Sequence, residues 1–253
     1  MIDSHCHLDL AAFDDDIATV IRRSEHTGVS RFLIPGTTPS GWQRQRQLQQ
    51  QYEHIDLAFG LHPYFDTSMQ PDALSALTHC LQQHHQSIVA VGEIGLDATV
   101  STPLKVQQDI LAQQLELATE YQLPVILHHR KSHHLLQQAL KQHNFSYGGI
   151  IHAFSGSQQV AESYIERGFL LGVGGTITYP RASKTRQALS AVALENMVLE
   201  TDAPDMPVAG YQGQRNTPER LPLIAEALST LLKTSQEQVV RQTTANYQRL
   251  FFG

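Results

Sequence analysis

Short apolar runs, many of them β-branched, recur along this chain at intervals of one strand plus one helix, and that spacing constrains the fold more than any other feature. The runs cover residues 1–4, 31–34, 55–59, 88–91, 125–127, 150–151, 169–173 and 197–199. Their candidate ends fall at positions 5, 35, 62, 93, 128, 152, 174 and 202, so successive ends lie 22 to 35 residues apart. Each interval suits one right-handed parallel crossover. Eight such units in 253 residues predict an α/β fold of the (β/α)8 TIM-barrel class, which takes ~250 residues. The intervening segments predict helices over 14–26, 39–52, 71–84, 102–121, 132–143, 158–167, 218–232 and 235–250, from apolar positions at a 3.6-residue period. Pro103 sits where a helix begins. No linker or compositional break divides the chain, which predicts one domain over 1–253.

The strand ends carry the chemistry. His5-Cys6-His7 closes the first run, and strand alternation would project His5 and His7 to one side and Cys6 to the other. Alone, His-x-His is a weak signal for a shared ion, and two polar histidines at a strand end account for it more readily. Gly60-Leu61-His62-Pro63, Gly92-Glu93-Ile94-Gly95-Leu96-Asp97, His128-His129-Arg130, His152-Ala153-Phe154-Ser155-Gly156 and Glu200-Thr201-Asp202-Ala203-Pro204 follow the other apolar runs. In a (β/α)8 fold the active site is built at those ends. Glu93 is the hardest of these to explain as structure, because an unpaired carboxylate in an apolar setting is costly.

Composition narrows the function classes. Hydrophobic residues are 41% and charged residues 17%, enough for one sizeable core. The net charge of −6 argues against nonspecific coating of nucleic acid, which needs many Lys and Arg contacts to phosphate. Apolar runs fall far short of the ~18 residues of a membrane span, and no basic stretch precedes an apolar one at the N-terminus, so no membrane association and a cytoplasmic location are expected. Cys6 and Cys80 form no Cys-x-x-Cys pattern and are expected as reduced thiols. The segment Tyr179-Pro180-Arg181-Ala182-Ser183-Lys184-Thr185-Arg186 has two readings, a phosphate contact through Arg181 and Lys184 or an exposed basic helix start. His84-His85, His133-His134 and the glutamines from Gln43 to Gln51 are expected on solvated helix faces. The glycines form no dinucleotide fingerprint.

Taken in order, Asp3-Ser4-His5-Cys6-His7-Leu8-Asp9, Gly60-Leu61-His62-Pro63, Gly92-Glu93-Ile94-Gly95-Leu96-Asp97, Pro124-Val125-Ile126-Leu127-His128, His152-Ala153-Phe154-Ser155-Gly156 and Glu200-Thr201-Asp202-Ala203-Pro204 closely resemble the TatD family of metal-dependent hydrolases. The likeness runs from Met1 to the segment Asn246-Tyr247-Gln248-Arg249-Leu250-Phe251. It implies a distorted TIM barrel of the amidohydrolase-like superfamily, metal-dependent deoxyribonuclease activity and a cytoplasmic location. By motif, it implies that His5, His7, Glu93 and Asp202 hold one divalent ion and that Glu93, His128 and His152 hold a second, with Glu93 bridging. Mixed nitrogen and oxygen ligands leave Mg, Mn and Zn open.

Further roles follow from position. Asp202 is expected to take a proton from the attacking water. His62, outside both implied ligand sets, is read as a substrate-phosphate contact or proton-transfer group, beside the reading of a packed structural histidine. Arg130 is read as a phosphate contact or a structural ion pair. The chain departs from the family pattern where Ala98-Thr99-Val100 replace aromatic residues and where His129 replaces a small residue. The leading expectation is a phosphodiesterase acting on nucleic acid or another phosphoester, with no stable protein partner. Hydrolysis of an amide or acyl ester and a non-catalytic metal-binding role are the alternatives. No lysine stands at the fourth strand end to form a carbamylated bridge, which disfavours the amidohydrolase form.

Overall fold

The computed structural model describes residues Met1–Gly253. Its strands are β1 (Ile2–Asp3), β2 (Arg31–Pro35), β3 (Ile55–Phe59), β4 (Ala90–Asp97), β5 (Val125–Arg130), β6 (Gly149–Ile151), β7 (Phe169–Val173) and β8 (Met197–Leu199). They follow one another in chain order in one sheet of parallel strands, the (β/α)8 class expected from the spacing. The helices are α1 (Ile17–His26), α2 (Pro39–Gln51), α3 (Pro71–His84), α4 (Leu104–Glu120), α5 (His133–Gln142), α6 (Gln158–Ile165), α7 (Ser183–Ser190), α8 (Leu221–Leu232) and α9 (Gln236–Phe252). Local signals set several ends. Ser235 caps α9 by accepting from the Gln238 N–H at 3.1 Å, and Pro39 and Pro71 open α2 and α3, where a missing N–H costs nothing. No helix is long and apolar enough to cross a membrane.

The chain packs as two compact units, Met1–Ile34 with Ala153–Gly253, and Pro35–His152. In the first, β1 pairs with β2 and β7 with β8, and the Ser4 N–H donates to the Leu199 carbonyl at 2.9 Å, which joins the chain's start to the end of β8. In the second, β4 pairs with β3 and β5, and β5 with β6. Strands buried on both faces read as continuous apolar runs, and Leu57, Phe59, Val91, Ile126, Leu127, Leu171 and Val198 are almost wholly shielded from solvent.

Two strands differ from the spacing-based expectation. β1 stops at Asp3, so His5-Cys6-His7 lies beyond it, yet Cys6 still donates its N–H to Leu33 O at 3.0 Å. Strand β4 is longer than expected. It continues through Glu93 to Asp97, and the extension pairs Gly95 with His128, Leu96 with His129 and Asp97 with Arg130. The polar residues Glu93 and Asp97 ended the apolar pattern in the sequence, but the ladder continues because β5 extends beside it. The register slips between Val91 and Ile94, an irregularity of the kind that re-aims a side chain, and Glu93 lies inside it.

Gly95 is the backbone requirement of this extension. Its φ is +148°, and a Cβ there would run into the His128 carbonyl oxygen. Gly95→Ala is therefore expected to destabilise the protein by about 1–3 kcal/mol through overpacking, with added backbone strain. A urea titration reads this as a lower midpoint; an unchanged midpoint would show that β5 yields freely at His128.

Candidate metal centre

In the first unit the site grows from Asp3, the last residue of β1. Its carboxylate is completely buried and accepts from Thr201 N at 2.9 Å, Thr201 Oγ1 at 2.6 Å and His5 N at 3.3 Å. Burial pushes its pKa up to about 8, against the pull of the Thr201 and His5 hydrogen bonds. Asp3 thereby holds the two segments that carry His5 and Asp202. His5 and His7 face each other, Nε2 to Nε2 at 3.2 Å, and Asp202 Oδ1 stands 3.7 Å from the first and 3.6 Å from the second. The expected common side of His5 and His7 is thus realised without a strand. Cys6 points away, its buried thiol toward Leu33 O, and burial drives its pKa well above the ordinary thiol range. Both cysteines are free, as expected. The Asp202 side chain stays 15% exposed and that of His7 10%, while that of His5 is sealed, so the carboxylate and His7 are the groups of this trio that meet solvent. Beneath them Glu200 is buried and accepts from Ala153 N at 2.6 Å; Gly172 leaves room for its carboxylate, which a Cβ would strike.

The second unit assembles its own trio. Glu93 Oε1 lies 3.2 Å from His62 Nε2 and 3.2 Å from His128 Nδ1, with the two rings 4.3 Å apart. These three donors lie close enough to hold one ion. His62, expected outside the ligand sets, is therefore a buried direct neighbour of Glu93. Its tautomer decides what it does there. The Tyr64 N–H donates to His62 Nδ1 at 3.0 Å, so the neutral ring carries its proton on Nε2 and presents an N–H to Glu93. A ring in that form donates a hydrogen bond and does not ligate through Nε2.

His128 has the opposite polarity. Its Nε2 meets Asp97 Oδ2 at 3.2 Å, which places a proton there; the neutral ring then carries its lone pair on Nδ1, 3.2 Å from Glu93 Oε1, and the protonated ring carries a second N–H there. Asp97 is fixed in turn by Thr99 N at 2.7 Å and Thr99 Oγ1 at 2.6 Å. Burial lowers the His128 pKa, but the hydrogen bonds to Asp97 and Glu93 outweigh it and the net shift is upward. Burial raises Asp97, and the His128 and Thr99 donors more than reverse it, holding the carboxylate well below its usual range.

Two buried glutamines of α4 fix the backbone around this trio. Gln114 accepts from Leu61 N at 2.8 Å and donates to Leu61 O at 3.3 Å, beside His62. Gln107 accepts from Asp97 N at 2.8 Å and donates to Asp97 O at 2.9 Å. Each amide pairs with one residue's N–H and C=O as a neighbouring strand would. His152, also buried, ends the same unit after β6.

The expected phosphate contacts stand outside these trios. Arg130 is exposed at the end of β5. Lys184 is exposed in the first turn of α7, whereas Arg181 precedes that helix and places its guanidinium 4.8 Å from the centroid of the Tyr179 ring. The solvated-face reading fails for three residues: Gln45 is fully buried and donates to Pro35 O at 3.2 Å, His85 packs on Tyr121 at 4.8 Å, and His133 on His129 at 4.0 Å. Sequence reasoning gave no role to Asp97, Gln107 or Gln114. Asp97 was visible in Gly-Leu-Asp, and the i, i+7 spacing of the glutamines on the apolar face of a helix was the available signal for the other two.

Comparison with known proteins shows which family the chain resembles. The family model described as TatD related DNase matches residues 2–252. The chain is 40% identical over 251 residues to an uncharacterized metal-dependent hydrolase, YjjV, of Escherichia coli K12, covering 99% of this chain and 97% of the relative. The crystal structure of that TatD homolog superposes with a TM-score of 0.95, covering 99% of this chain and 97% of the other. A Salmonella typhimurium protein named 3'-5' ssDNA/RNA exonuclease TatD is 29% identical over 259 residues, covering 99% of this chain and 98% of its own. The Escherichia coli phosphotriesterase homology protein, at 14% identity, TM-score 0.68 and coverage of 99% and 98%, shares the fold.

The Asp97–His128 pair yields a direct test. Carboxylate partners of ligating histidines typically contribute 10–100-fold to metal affinity. Asp97→Ala is expected to weaken the binding of Mn or Zn by about that factor in calorimetric titration, with the protein still folded. Unchanged affinity would remove His128 Nδ1 from the ligand set.

Proposed function

The chain belongs to the TatD-related DNase family and is a metal-dependent hydrolase of that family, and from that premise we propose that it cleaves phosphodiester bonds of nucleic acid at a centre for two divalent ions. The observation that carries the reading is two clusters of imidazole and carboxylate, His5, His7 and Asp202 at 3.2 to 3.7 Å and Glu93 with His128 at 3.2 Å, with His62 beside the second as a hydrogen-bond donor. Such mixed nitrogen and oxygen donors suit Mg, Mn or Zn. In this proposal His5, His7, Glu93 and Asp202 hold one ion, and Glu93, His128 and His152 the other, with the 253 residues acting as one domain. Ions bound there would lower the pKa of a water and stabilise charge at the phosphoryl oxygens.

The chain's own groups supply the rest. Asp202, part-exposed beside His5 and His7, takes the proton of the attacking water and returns one to the departing oxygen. His62 donates its Nε2 proton in a hydrogen bond to a phosphate oxygen, a role its Tyr64 contact prepares. Asp97 fixes the tautomer of His128. Arg130, Arg181 and Lys184, exposed and cationic, attract the flanking phosphates. The exonuclease name of the Salmonella relative favours a single-stranded DNA or RNA substrate, and the cytoplasm is the compartment we propose for it.

Two measurements test this. End-labelled single-stranded DNA and RNA, incubated with Mg, Mn or Zn, should be shortened in a reaction that chelation abolishes, with two ions per chain by elemental analysis. Activity on amide or acyl-ester substrates in place of nucleic acid would overturn the phosphodiesterase reading. Asp202→Asn keeps shape and one oxygen ligand but lacks a basic carboxylate, so turnover is expected to fall by about 10²–10⁴-fold with substrate binding little changed. Metal content is measured in the same preparation, and near-normal turnover by the fully metallated variant would exclude Asp202 as the base.

A further inference from the structure

Within the first unit, the loops that follow β7 and β8 enclose a cavity of about 360 Å³ lined by Tyr179, Arg181, Ala182, Met206, Pro207 and Gln212. We propose that this cavity is a nucleobase subsite, receiving the base of a nucleotide adjacent to the cleaved phosphodiester while Arg181 meets a phosphate. The proposal rests on the phosphodiesterase reading and adds to it where, and by which groups, the substrate's rings are held.

The walls are built. The Tyr179 hydroxyl donates to Pro207 O at 2.7 Å, so the ring is pinned across the two loops. Thr178 Oγ1 accepts from Ala209 N at 2.8 Å and donates to Gly175 O at 2.6 Å. Asn216 Nδ2 donates to both Thr201 O, at 2.9 Å, and Met206 O, at 3.3 Å, which ties the cavity wall to the segment that carries Asp202. Asp205 N closes a turn onto Asp202 O at 2.8 Å, so catalytic carboxylate and cavity wall belong to one short, braced loop.

The lining selects the ligand. Tyr179, Ala182, Met206 and Pro207 offer apolar surface, and a bare phosphate would leave that surface unused. Arg181 places a planar cation 4.8 Å from the Tyr179 ring centroid, and a purely apolar ligand would desolvate that charge without compensation. A planar heteroaromatic ring joined to an anion satisfies both, by stacking on the ring–guanidinium pair and pairing its phosphate with Arg181. Gln212 at the rim adds an amide for the edge of a base.

The test compares strands with and without bases. A fluorescein-labelled short oligothymidylate and an abasic strand of equal length are titrated by anisotropy into metal-loaded protein carrying Asp202→Asn, which keeps the strand intact. Adding Tyr179→Leu is expected to weaken oligothymidylate binding roughly tenfold and to leave the abasic strand nearly unaffected. Tyr179→Phe, which keeps the ring, should bind close to the parent. If the Leu variant does not fold by circular dichroism, Ala182→Phe fills the cavity from its own wall and is expected to give the same base-selective loss. An equal loss for both strands, or no loss for either, would overturn the subsite while cleavage by the wild-type protein leaves the nuclease reading standing. A wild-type protein that neither binds nor cleaves either strand removes both.

Discussion

A carboxylate with no access to water organises the first unit. Asp3 lies at the end of a two-residue strand, and isolated burial of its charge would be prohibitive. Two donors from Thr201 and one from the His5 backbone compensate it, and those donors sit next to the residues that form the first trio. Stability and site geometry are therefore one problem here: the segments that satisfy Asp3 must bring His5 and Asp202 together. Its raised pKa records the residual cost of that burial. The adjacent Glu200 repeats the arrangement, with a backbone N–H as its partner and a glycine to make room.

The second unit solves a different problem, which is proton placement. His62 and His128 both approach one oxygen of Glu93, and distance alone would make them equivalent. Their far nitrogens separate them. A backbone N–H faces one and a carboxylate faces the other, so in their neutral forms one ring turns a donor toward Glu93 and the other a lone pair. The same residue type thus takes two functions according to its neighbour on the side away from the site.

The sequence disclosed the architecture because a parallel sheet writes itself as spaced apolar runs, and it disclosed His5, His7, Glu93 and Asp202 because polar residues at strand ends break that pattern. Strand lengths were less legible. β4 and β5 carry each other past Val91 and Leu127 through backbone pairing that side-chain hydrophobicity does not encode. Partnerships were hidden for a related reason. Gln45 reads as solvated helix surface and Gln107 and Gln114 signal no role in the sequence, yet each is buried against main-chain groups that only the folded chain brings near. The place of His62 beside Glu93 likewise depends on a register slip that composition and periodicity do not register.

The two units differ in how they are drawn from the chain. Pro35–His152 is one uninterrupted stretch, whereas the other unit joins Met1–Ile34 to Ala153–Gly253. Closing a loop costs entropy that grows with its length, and chains emerge from the ribosome N-terminus first. All of His62, Glu93, Asp97 and His128 are available to one another before the last third of the protein has been made. His5 and His7, synthesised at the outset, must wait for Thr201 to reach Asp3 across 198 residues. The two histidines encoded first are therefore among the groups assembled last.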